Sequence, residues 1–300
     1  MTYSIVALDP ESGDLGVAVQ SHYFAVGARV PWVESGVGAV ATQAYVQPSY
    51  GSFGLALMRR GMKAHQALRA LLAADDQRER RQVAMVDAWG EVATHTGLRC
   101  IREAGSRAGD GYSVQANMMW SDTVWDAMAQ GYESSSHSHF AHRLLDALDA
   151  AELAGGDVRG KQSAAMVTRR TYASDNPASD STIELRVDDH SEPLLELRRL
   201  LKMRLAIGHA NKVMDLIRQG RVEDALAGTD GALSAMDKNP EFHFRIGVEL
   251  AIAGHIEKAI EWIRPVLGAG EGWAEMLRRL PAAELFPDDP LLLGRLLGEE

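Results

Sequence analysis

Strand signals in this chain of 300 residues come in runs joined by short turns, and this order constrains the fold more than any other feature. Aromatic and β-branched residues dominate residues 2–7, and a turn rich in Asp, Pro and Gly separates them from a second strand at residues 15–21. Residues 82–87 and 91–96 flank a turn with Gly90 in the same way. The sequence therefore predicts an α+β fold of antiparallel sheets covered by helices, rather than a doubly wound parallel sheet.

The other segments before residue 190 complete this pattern. A β segment at residues 36–44 is poor in large side chains, so another backbone or a ligand can approach it closely. Apolar residues at helical spacing, broken near Gly61, predict two short helices or one kinked helix over residues 55–72. Further strands are predicted at residues 112–117, 163–168 and 182–187, and amphipathic helices at residues 123–132 and 139–153.

From residue 192 onward the strand signals stop, and helices are predicted instead. A repeat with a period of 34 residues is typical of a tetratricopeptide-like helical pair, although an ordinary helical hairpin with coincidental spacing is the alternative. Such units need neighbours, so we expect flanking helices at residues 194–205 and 273–280 to pack on them. The predicted domains are residues 1–190 and 191–300. The matched residues are Leu216, Gly220, Val222, Glu223, Ala225 and Leu226, then Leu250, Gly254, Ile256, Glu257, Ala259 and Ile260.

Composition excludes several classes of protein. Apolar residues make up 46% of the chain, yet no apolar run approaches the roughly 18 residues of a membrane span. The amino end lacks the features of a signal peptide, so we expect a soluble, cytoplasmic protein. The single cysteine, Cys100, excludes internal disulfides and thiolate metal clusters. A net charge of −10 argues against a nucleic-acid partner, because phosphate binding needs a basic surface.

Thr2 is the main candidate for chemistry, because it begins the first strand. If Met1 is removed, which the small side chain of Thr2 permits, one residue carries both a hydroxyl and a free α-amine. An α-amine has a reference pKa of about 7.7 to 8.0, so near neutral pH it can accept the hydroxyl proton. The alternatives are a strand start without catalytic meaning, or an internal nucleophile such as Ser21 or Ser163.

Residues 155–163 have the Gly-x-x-x-x-Gly-Lys spacing of a phosphate loop, but the context is wrong for one. The segment follows a helix and opens a strand, and Gln162 stands where Ser or Thr would hold magnesium. We expect instead that Asp157 and Arg159 border a substrate pocket, with loop amides facing an anion or a developing oxyanion. The alternative is a helix C-cap followed by a tight connection.

Other polar residues are candidates for binding substrate or metal. Thr42 and Gln43 lie on the strand of small residues, where a hydroxyl and an amide can orient a substrate. Asn117 is a candidate oxyanion donor, because carboxamides serve that role. All three are alternatively polar residues that complete the ends of strands. The histidines within residues 137–142 lack the i, i+4 spacing of helical metal ligands, so no metal site is expected.

Several of these segments resemble known families. The Thr2 strand, its return strand at residues 16–19 and the segment at residues 38–44 resemble the first β segments of proteasome β-subunits, which are N-terminal nucleophile (Ntn) hydrolases. The resemblance implies a four-layer αββα sandwich over about the first 190 residues. A more specific resemblance is to an uncharacterised bacterial family known as domain of unknown function 1028, of which some members carry a helical extension. It rests on residues 2–7, 17–21, 41–44, 81–82 and 155–163.

The chain departs from proteasome-type sites at two positions. Those sites hold an Asp at the end of the second strand and a Lys on the next strand. Here Gln20 and Ser21 end the second strand, and the first lysine is Lys63. Arg29 or Arg159 would supply the positive field instead, although an arginine does not give up a proton near neutral pH.

The resulting hypothesis is an Ntn-type amidohydrolase that acts on a small amide or acyl compound. No cofactor and no membrane contact are expected, and the helical extension is expected to serve a homodimer or a protein partner. The alternative hypothesis is a non-catalytic binding or scaffold protein that works through its helical repeat. The predicted catalytic residues are Thr2 and Asn117, and the predicted substrate-binding residues are Ser21, Arg29, Thr42, Gln43, Asp157 and Arg159.

Overall fold

The computed structural model describes residues 2–135, 138–174, 180–227 and 239–299. These residues form two compact units, and the division between Leu201 and Lys202 falls within one long helix. The first unit combines antiparallel sheets with helices, which confirms the predicted α+β class.

The first unit contains a six-stranded and a four-stranded antiparallel sheet. The larger sheet consists of β1 (Thr2–Asp9), β2 (Asp14–Ser21), β7 (Gly105–Gly109), β8 (Tyr112–Asn117), β9 (Ser163–Arg170) and β10 (Ser181–Val187), and the smaller of β3 (Pro31–Glu34), β4 (Gly38–Ala44), β5 (Arg81–Asp87) and β6 (Val92–Thr96). The strand orders are β10-β9-β2-β1-β8-β7 and β3-β4-β5-β6, so β1 is central in the larger sheet. Both predicted hairpins, β1–β2 and β5–β6, are confirmed, whereas β3 and β7 were not predicted.

Apolar side chains pack the two sheets against each other and pack helices on their outer faces. Val6, Val17, Ala39 and Ala84 belong to the core between the sheets. Helices α1 (Ser49–Arg59) and α2 (Ala64–Ala73) share a separate core with β4 and β5. Helices α3 (Val124–Ser134) and α4 (Phe140–Leu153) pack on the larger sheet. The approach of α4 is so close that a Cβ added to Gly16 would lie 2.8 Å from Leu144.

The second unit is helical throughout its described residues, as predicted. Gly220 and Gly254 both have positive φ, 77° and 83°. In both turns the glycine amide donates to the carbonyl three residues earlier, and the next amide donates to the carbonyl five residues earlier. Trp273 and Leu277 join the core of this unit. The helices are α5 (Pro193–Arg218, which begins in the first unit), α6 (Val222–Ala227), α7 (Pro240–Ile252), α8 (Ile256–Leu267), α9 (Glu271–Arg279) and α10 (Pro290–Leu297).

None of the helices in the described ranges combines the length and the apolar character needed to cross a bilayer.

Candidate functional site

Four polar residues form a row across neighbouring strands at one end of the larger sheet. Thr2 at the start of β1 pairs with Ser21 at the end of β2 and with Asn117 at the end of β8. Ser21 pairs in turn with Ser163 at the start of β9. Residues opposite each other in an antiparallel pair project to the same face of the sheet. The row therefore projects to the same side as Ser4, two residues along β1, whose hydroxyl donates to Gln43 of the smaller sheet at 2.7 Å.

The hydroxyl of Thr2 is buried against a second hydroxyl. Thr2 is 6% exposed, and its Oγ1 lies 3.0 Å from Oγ of Ser21. The carbonyl oxygen of Thr2 accepts hydrogen bonds from Nε2 of Gln43 at 3.2 Å and from Nδ2 of Asn117 at 3.3 Å. These bonds fix the backbone of Thr2, so the position of its side chain depends on both sheets.

Buried amides join the two sheets beside Thr2. Oε1 of Gln82 accepts from Nε2 of Gln43 at 2.7 Å and from Nδ2 of Asn117 at 2.9 Å. Nε2 of Gln82 donates to the carbonyl oxygen of Ala116 at 2.8 Å and to Oγ1 of Thr96 at 3.0 Å. A buried amide that lost such partners would cost free energy, so these hydrogen bonds hold the two sheets together at this point. We call Ser4, Gln43, Gln82, Gln115 and Asn117 the amide layer.

Asn117 leaves one buried acceptor unused. The residue is 1% exposed, and its Oδ1 has no hydrogen-bond partner among the described residues. Its Nδ2 already donates to Gln82 and to Thr2, and a flipped amide would place Oδ1 against two other acceptors. In this arrangement Asn117 offers an acceptor to a ligand, whereas the predicted oxyanion role would require a free donor.

A pocket of about 410 Å³ opens beside Asn117. Two of its lining residues, Ala44 and Met118, have left-handed backbones with φ of 68° and 58°. Each comes at the end of a strand that contributes to the amide layer, β4 and β8. Left-handed residues other than glycine are strained, and such strain concentrates at functional sites. The remaining lining residues are Tyr45, Arg80, Arg99, Cys100 and Ile101.

Asp157 lies beyond the amino end of β1. Its backbone forms a bridge with Met119, which follows β8, and its carboxylate accepts from the backbone N–H of His22, which follows β2, at 3.3 Å. Strand β1 lies between β2 and β8, and Asp157 contacts the residues that follow both of these strands. Asp157 therefore lies beyond the amino end of β1, in line with Thr2. The Asp157 side chain is fully buried, and Nη2 of Arg159 lies 3.3 Å from its Oδ2. The predicted pair is therefore brought to the same end of the sheet as Thr2.

The amides of this loop do not face an open anion site. The N–H groups of residues 158, 160 and 162 donate to the carbonyl oxygens of residues 118, 157 and 21. The N–H of Arg159 donates to Oδ1 of Asp157 at 2.8 Å. Protein acceptors therefore occupy the N–H groups of residues 158, 159, 160 and 162, and these four do not support the expected anion or oxyanion site.

Thr42 and Arg29 are not brought to Thr2. Successive strand residues project to opposite faces, so Gln43 joins the amide layer while Oγ1 of Thr42 donates to the carbonyl oxygen of Gln47 at 3.2 Å. Arg29 is exposed, and among the described residues no contact joins its side chain to Thr2.

Other predicted candidates have local roles. The hydroxyl of Ser163 donates to the carbonyl oxygen of Tyr23 and accepts from the N–H of Val26, which ties down the loop after β2. Nδ1 of His139 accepts from the N–H of Ala141 and so caps α4, whereas residue 137 lies outside the described residues. Within the described ranges, no three His, Cys, Asp or Glu residues are grouped as metal ligands.

Cys100 is the remaining potential nucleophile of the pocket. Its Sγ donates to the carbonyl oxygen of Arg81 at 3.4 Å. Burial raises the pKa of the Cys100 thiol, so the protonated form dominates at neutral pH. A thiolate attack from this residue is therefore disfavoured.

Sequence reasoning missed Gln82, Gln115 and the arginines of the pocket. One available signal was the alternation Ser113, Gln115, Asn117 on β8, which places three polar side chains on one face of a strand. Such a face is normally assigned to solvent, whereas here it is buried between the sheets.

Comparison with known proteins supports the resemblance to the family known as domain of unknown function 1028. Protein SPO2555 from Silicibacter pomeroyi, whose crystal structure is described under DUF1028, matches with 32% identity and a TM-score of 0.61. The match covers 67% of this chain and 85% of that one. No curated protein matches. Residues 2–197 match the family of unknown function DUF1028, and the chain therefore belongs to this family.

Proposed function

We propose that this protein is an Ntn-type amidohydrolase with Thr2 as its nucleophile after removal of Met1. The observation that carries the proposal is the buried pair of hydroxyls, Thr2 Oγ1 and Ser21 Oγ at 3.0 Å, at the start of a central strand. The neighbouring residue in the row, Asn117, lines a pocket of about 410 Å³. A nucleophile next to a pocket is the arrangement that acyl transfer requires.

The order of layers in the first unit supports the same assignment. Helices α1 and α2 pack on the smaller sheet, the sheets pack on each other, and α3 and α4 pack on the larger sheet. We assign this order to the four-layer αββα sandwich of Ntn hydrolases. Fold alone does not define a reaction, so the proposal depends on the site.

In the proposed reaction the α-amine of Thr2 takes the hydroxyl proton while Oγ1 attacks the amide carbon. The new C–O bond forms an acyl ester, the C–N bond breaks, and the leaving amine takes the proton. Water then cleaves the ester, so that amide and water give a carboxylic acid and an amine. In this proposal Ser21, whose Oγ lies 3.0 Å from Oγ1 of Thr2, orients the Thr2 hydroxyl for this transfer.

Asp157 supplies a charge near the start of β1 in this proposal. A carboxylate close to an amine favours the protonated amine, and the guanidinium of Arg159 on the same carboxylate offsets part of that effect. We infer that the two residues together set the basicity of the Thr2 α-amine, in place of the Asp and Lys of proteasome-type sites.

A non-catalytic binding protein is the second candidate. One observation favours it: within the described residues the hydrogen-bond partner of the Thr2 hydroxyl is Ser21, and no acid or base side chain forms a hydrogen bond with Oγ1. On this alternative the amide layer is structural and the pocket holds a ligand that is not cleaved.

We further propose that the second unit is a tetratricopeptide-like extension that mediates a homodimer or binds a protein partner. The equal hydrogen bonding of the turns at Gly220 and Gly254 supports a repeated helical pair. Light scattering with full-length protein tests the dimer, and a monomer mass would contradict it.

The hydrolase is tested by intact mass spectrometry before and after incubation with a β-lactone probe. Loss of Met1 and an adduct mapped to Thr2 are expected for the wild type. Thr2→Ala is the matched control, because it allows removal of Met1 but lacks the hydroxyl. Retained Met1 without an adduct would overturn the hydrolase and favour the binding protein.

A further inference from the structure

The pocket beside Asn117 is basic in an acidic protein. The chain has a net charge of −10, yet the pocket is lined by Arg80 and Arg99 and by no acidic residue. Both arginines are exposed, and within the described residues neither forms an ion pair. Glu79 does not line the pocket; its carboxylate accepts from the N–H of Leu98 and lies 3.9 Å from Nε of Arg78. Two guanidinium groups without acidic partners favour an anionic ligand.

Arg81, next in sequence, shows how a structural arginine differs. Arg81 is 5% exposed, its Nε donates to Asp75 at 2.8 Å and its Nη1 donates to the carbonyl oxygen of Tyr45 at 2.6 Å. The guanidinium groups of Arg80 and Arg81 lie 5.8 and 5.1 Å from the centre of the Tyr45 ring, but Arg80 is exposed and lines the pocket. Arg81 therefore holds Tyr45 in place, and Arg80 stays available to a ligand.

The loop that carries Arg99 is fixed at the same place. The N–H of Arg99 donates to the carbonyl oxygen of Glu79 at 2.7 Å, and the N–H of Gly97 donates to that of Arg81 at 2.9 Å. A Cβ added to Gly97 would lie 2.4 Å from the carbonyl carbon of Glu79, so the loop approaches as closely as only glycine allows. The position of Arg99 near Arg80 is thus built into the fold.

Asn117 adds a second recognition element of a different kind. Its Oδ1 is a buried acceptor without a partner among the described residues, and Asn117 lines the pocket, so a ligand N–H that reaches Oδ1 would satisfy it. The volume of about 410 Å³ falls in the range of about 300 to 1,000 Å³ that is usual for small-molecule sites. The pocket therefore combines one acceptor for an N–H with two cations for an anion.

We propose that this pocket recognises a small amide that carries a carboxylate, such as an N-acylated amino acid. The amide N–H donates to Oδ1 of Asn117, and the carboxylate binds the guanidinium groups of Arg80 and Arg99. As a statement about the substrate, this inference rests on the proposed hydrolase. As a statement about binding, it can be tested without turnover.

NMR titration at low ionic strength with three probes of similar size tests the recognition. N-acetylglycine has both features, N-acetylglycinamide lacks the carboxylate, and N-acetylsarcosine lacks the N–H. We expect N-acetylglycine to bind at least about tenfold more tightly than either of the others, which corresponds to about 1.4 kcal/mol. Equal binding of all three probes, or no binding, would overturn the proposal.

Matched arginine variants locate the binding site. Arg80→Gln and Arg99→Gln are expected to weaken N-acetylglycine at least about tenfold and to leave N-acetylglycinamide unchanged. Arg78→Gln is the control, because Arg78 lies on the same short helix as Arg80 but does not line the pocket. Equal weakening by all three variants would show that only the overall charge of the protein matters, and it would overturn the assignment of the site.

Two further measurements distinguish the recognition proposal from the hydrolase proposal: binding by the Thr2→Ala variant and probe labelling of Thr2. Thr2→Ala is expected to bind N-acetylglycine like the wild type, because the proposed contacts do not involve its hydroxyl. Carboxylate-selective binding without probe labelling of Thr2 would overturn the hydrolase and support the recognition. Labelling of Thr2 without carboxylate selectivity would support the hydrolase and overturn the recognition.

Discussion

Nδ2 of Asn117 in the larger sheet donates to Oε1 of Gln82 in the smaller sheet at 2.9 Å. Gln82 in turn donates to Thr96 of its own sheet and to the carbonyl oxygen of Ala116 in the other. The buried side chain of Gln82 on β5 thus connects the end of β8, next to Thr2, with β4 and β6, the two strands that flank β5.

Replacing Gln82 by Leu removes the centre of the amide layer. The amides of Gln43 and Asn117 and the carbonyl of Ala116 would lose partners in a site without solvent, so we expect a loss of about 2 to 4 kcal/mol in the free energy of unfolding. Urea denaturation measures it. Gln77→Leu, at an exposed position nearby, is expected to stay within about 0.5 kcal/mol. Similar losses in both variants would contradict this account.

Replacing Ala44 or Ala41, two residues of the same strand, by glycine should affect the stability of the protein in different directions. Ala44 has a φ of 68°, a conformation that costs a residue with a Cβ about 1 to 2 kcal/mol, so Ala44→Gly should leave stability unchanged or raise it by up to about 1 kcal/mol. Ala41→Gly, in the core between the sheets, should lower stability by about 1 kcal/mol. Thermal unfolding of both variants measures the difference, and a clear loss in Ala44→Gly would refute the strain.

Gly97→Ala is expected to displace the loop that carries Arg99. The added methyl would meet backbone atoms of Glu79 at 2.4 Å, so we expect a loss of about 1 to 3 kcal/mol in stability and weaker binding of N-acetylglycine. Gly294→Ala, where nothing lies within 4 Å of the added Cβ, should instead stabilise its helix by about 0.5 to 1 kcal/mol. Calorimetry and the NMR titration check both, and unchanged binding in Gly97→Ala would show that the loop does not shape the pocket.

Low pH should weaken the ion pair between Asp75 and Arg81, the arginine that donates to the carbonyl oxygen of Tyr45. The hydrogen bond from Arg81 lowers the pKa of the Asp75 carboxyl, so its stabilising effect is present above the usual value of about 3.9 and is lost as pH falls through the lowered pKa. We expect Asp75→Asn to be less stable than the wild type at about pH 6, and the difference in melting temperature to shrink toward about pH 3. Asp76→Asn, at an exposed neighbouring position, is the control. A constant difference across this range would argue against the ion pair.

Hairpins and helices were predictable because each depends on neighbours in sequence. The strands at residues 31–34 and 105–109 were not found, because the first is short and opens with proline and the second contains two glycines and little β-forming material. Pairing with β4 and β8 stabilises these two strands, whose own residues have little tendency to form β-structure.

The candidate site was only partly predictable, since it joins residues that are distant in sequence. Register brings Thr2, Ser21 and Asn117 into one row, and the sequence had marked each of them. Successive residues of a strand project to opposite faces, so the sequence already implied that only one of Thr42 and Gln43 faces the site. The left-handed backbone of Met118 and the meeting of Arg80 with Arg99 depend on how two sheets pack, which no local pattern encodes.

The amide layer has a consequence for motion in this protein. Two apolar sheet faces can shear past each other with gradual loss of contact, but directional hydrogen bonds cannot follow such a shift. A slip by one residue, about 3.3 Å, would break the bonds of Gln43, Gln82 and Asn117 together. The alignment of the sheets at this end is therefore all-or-none, and any adjustment to a ligand must come from the segments beyond the strand ends, where Arg99 and Asp157 lie.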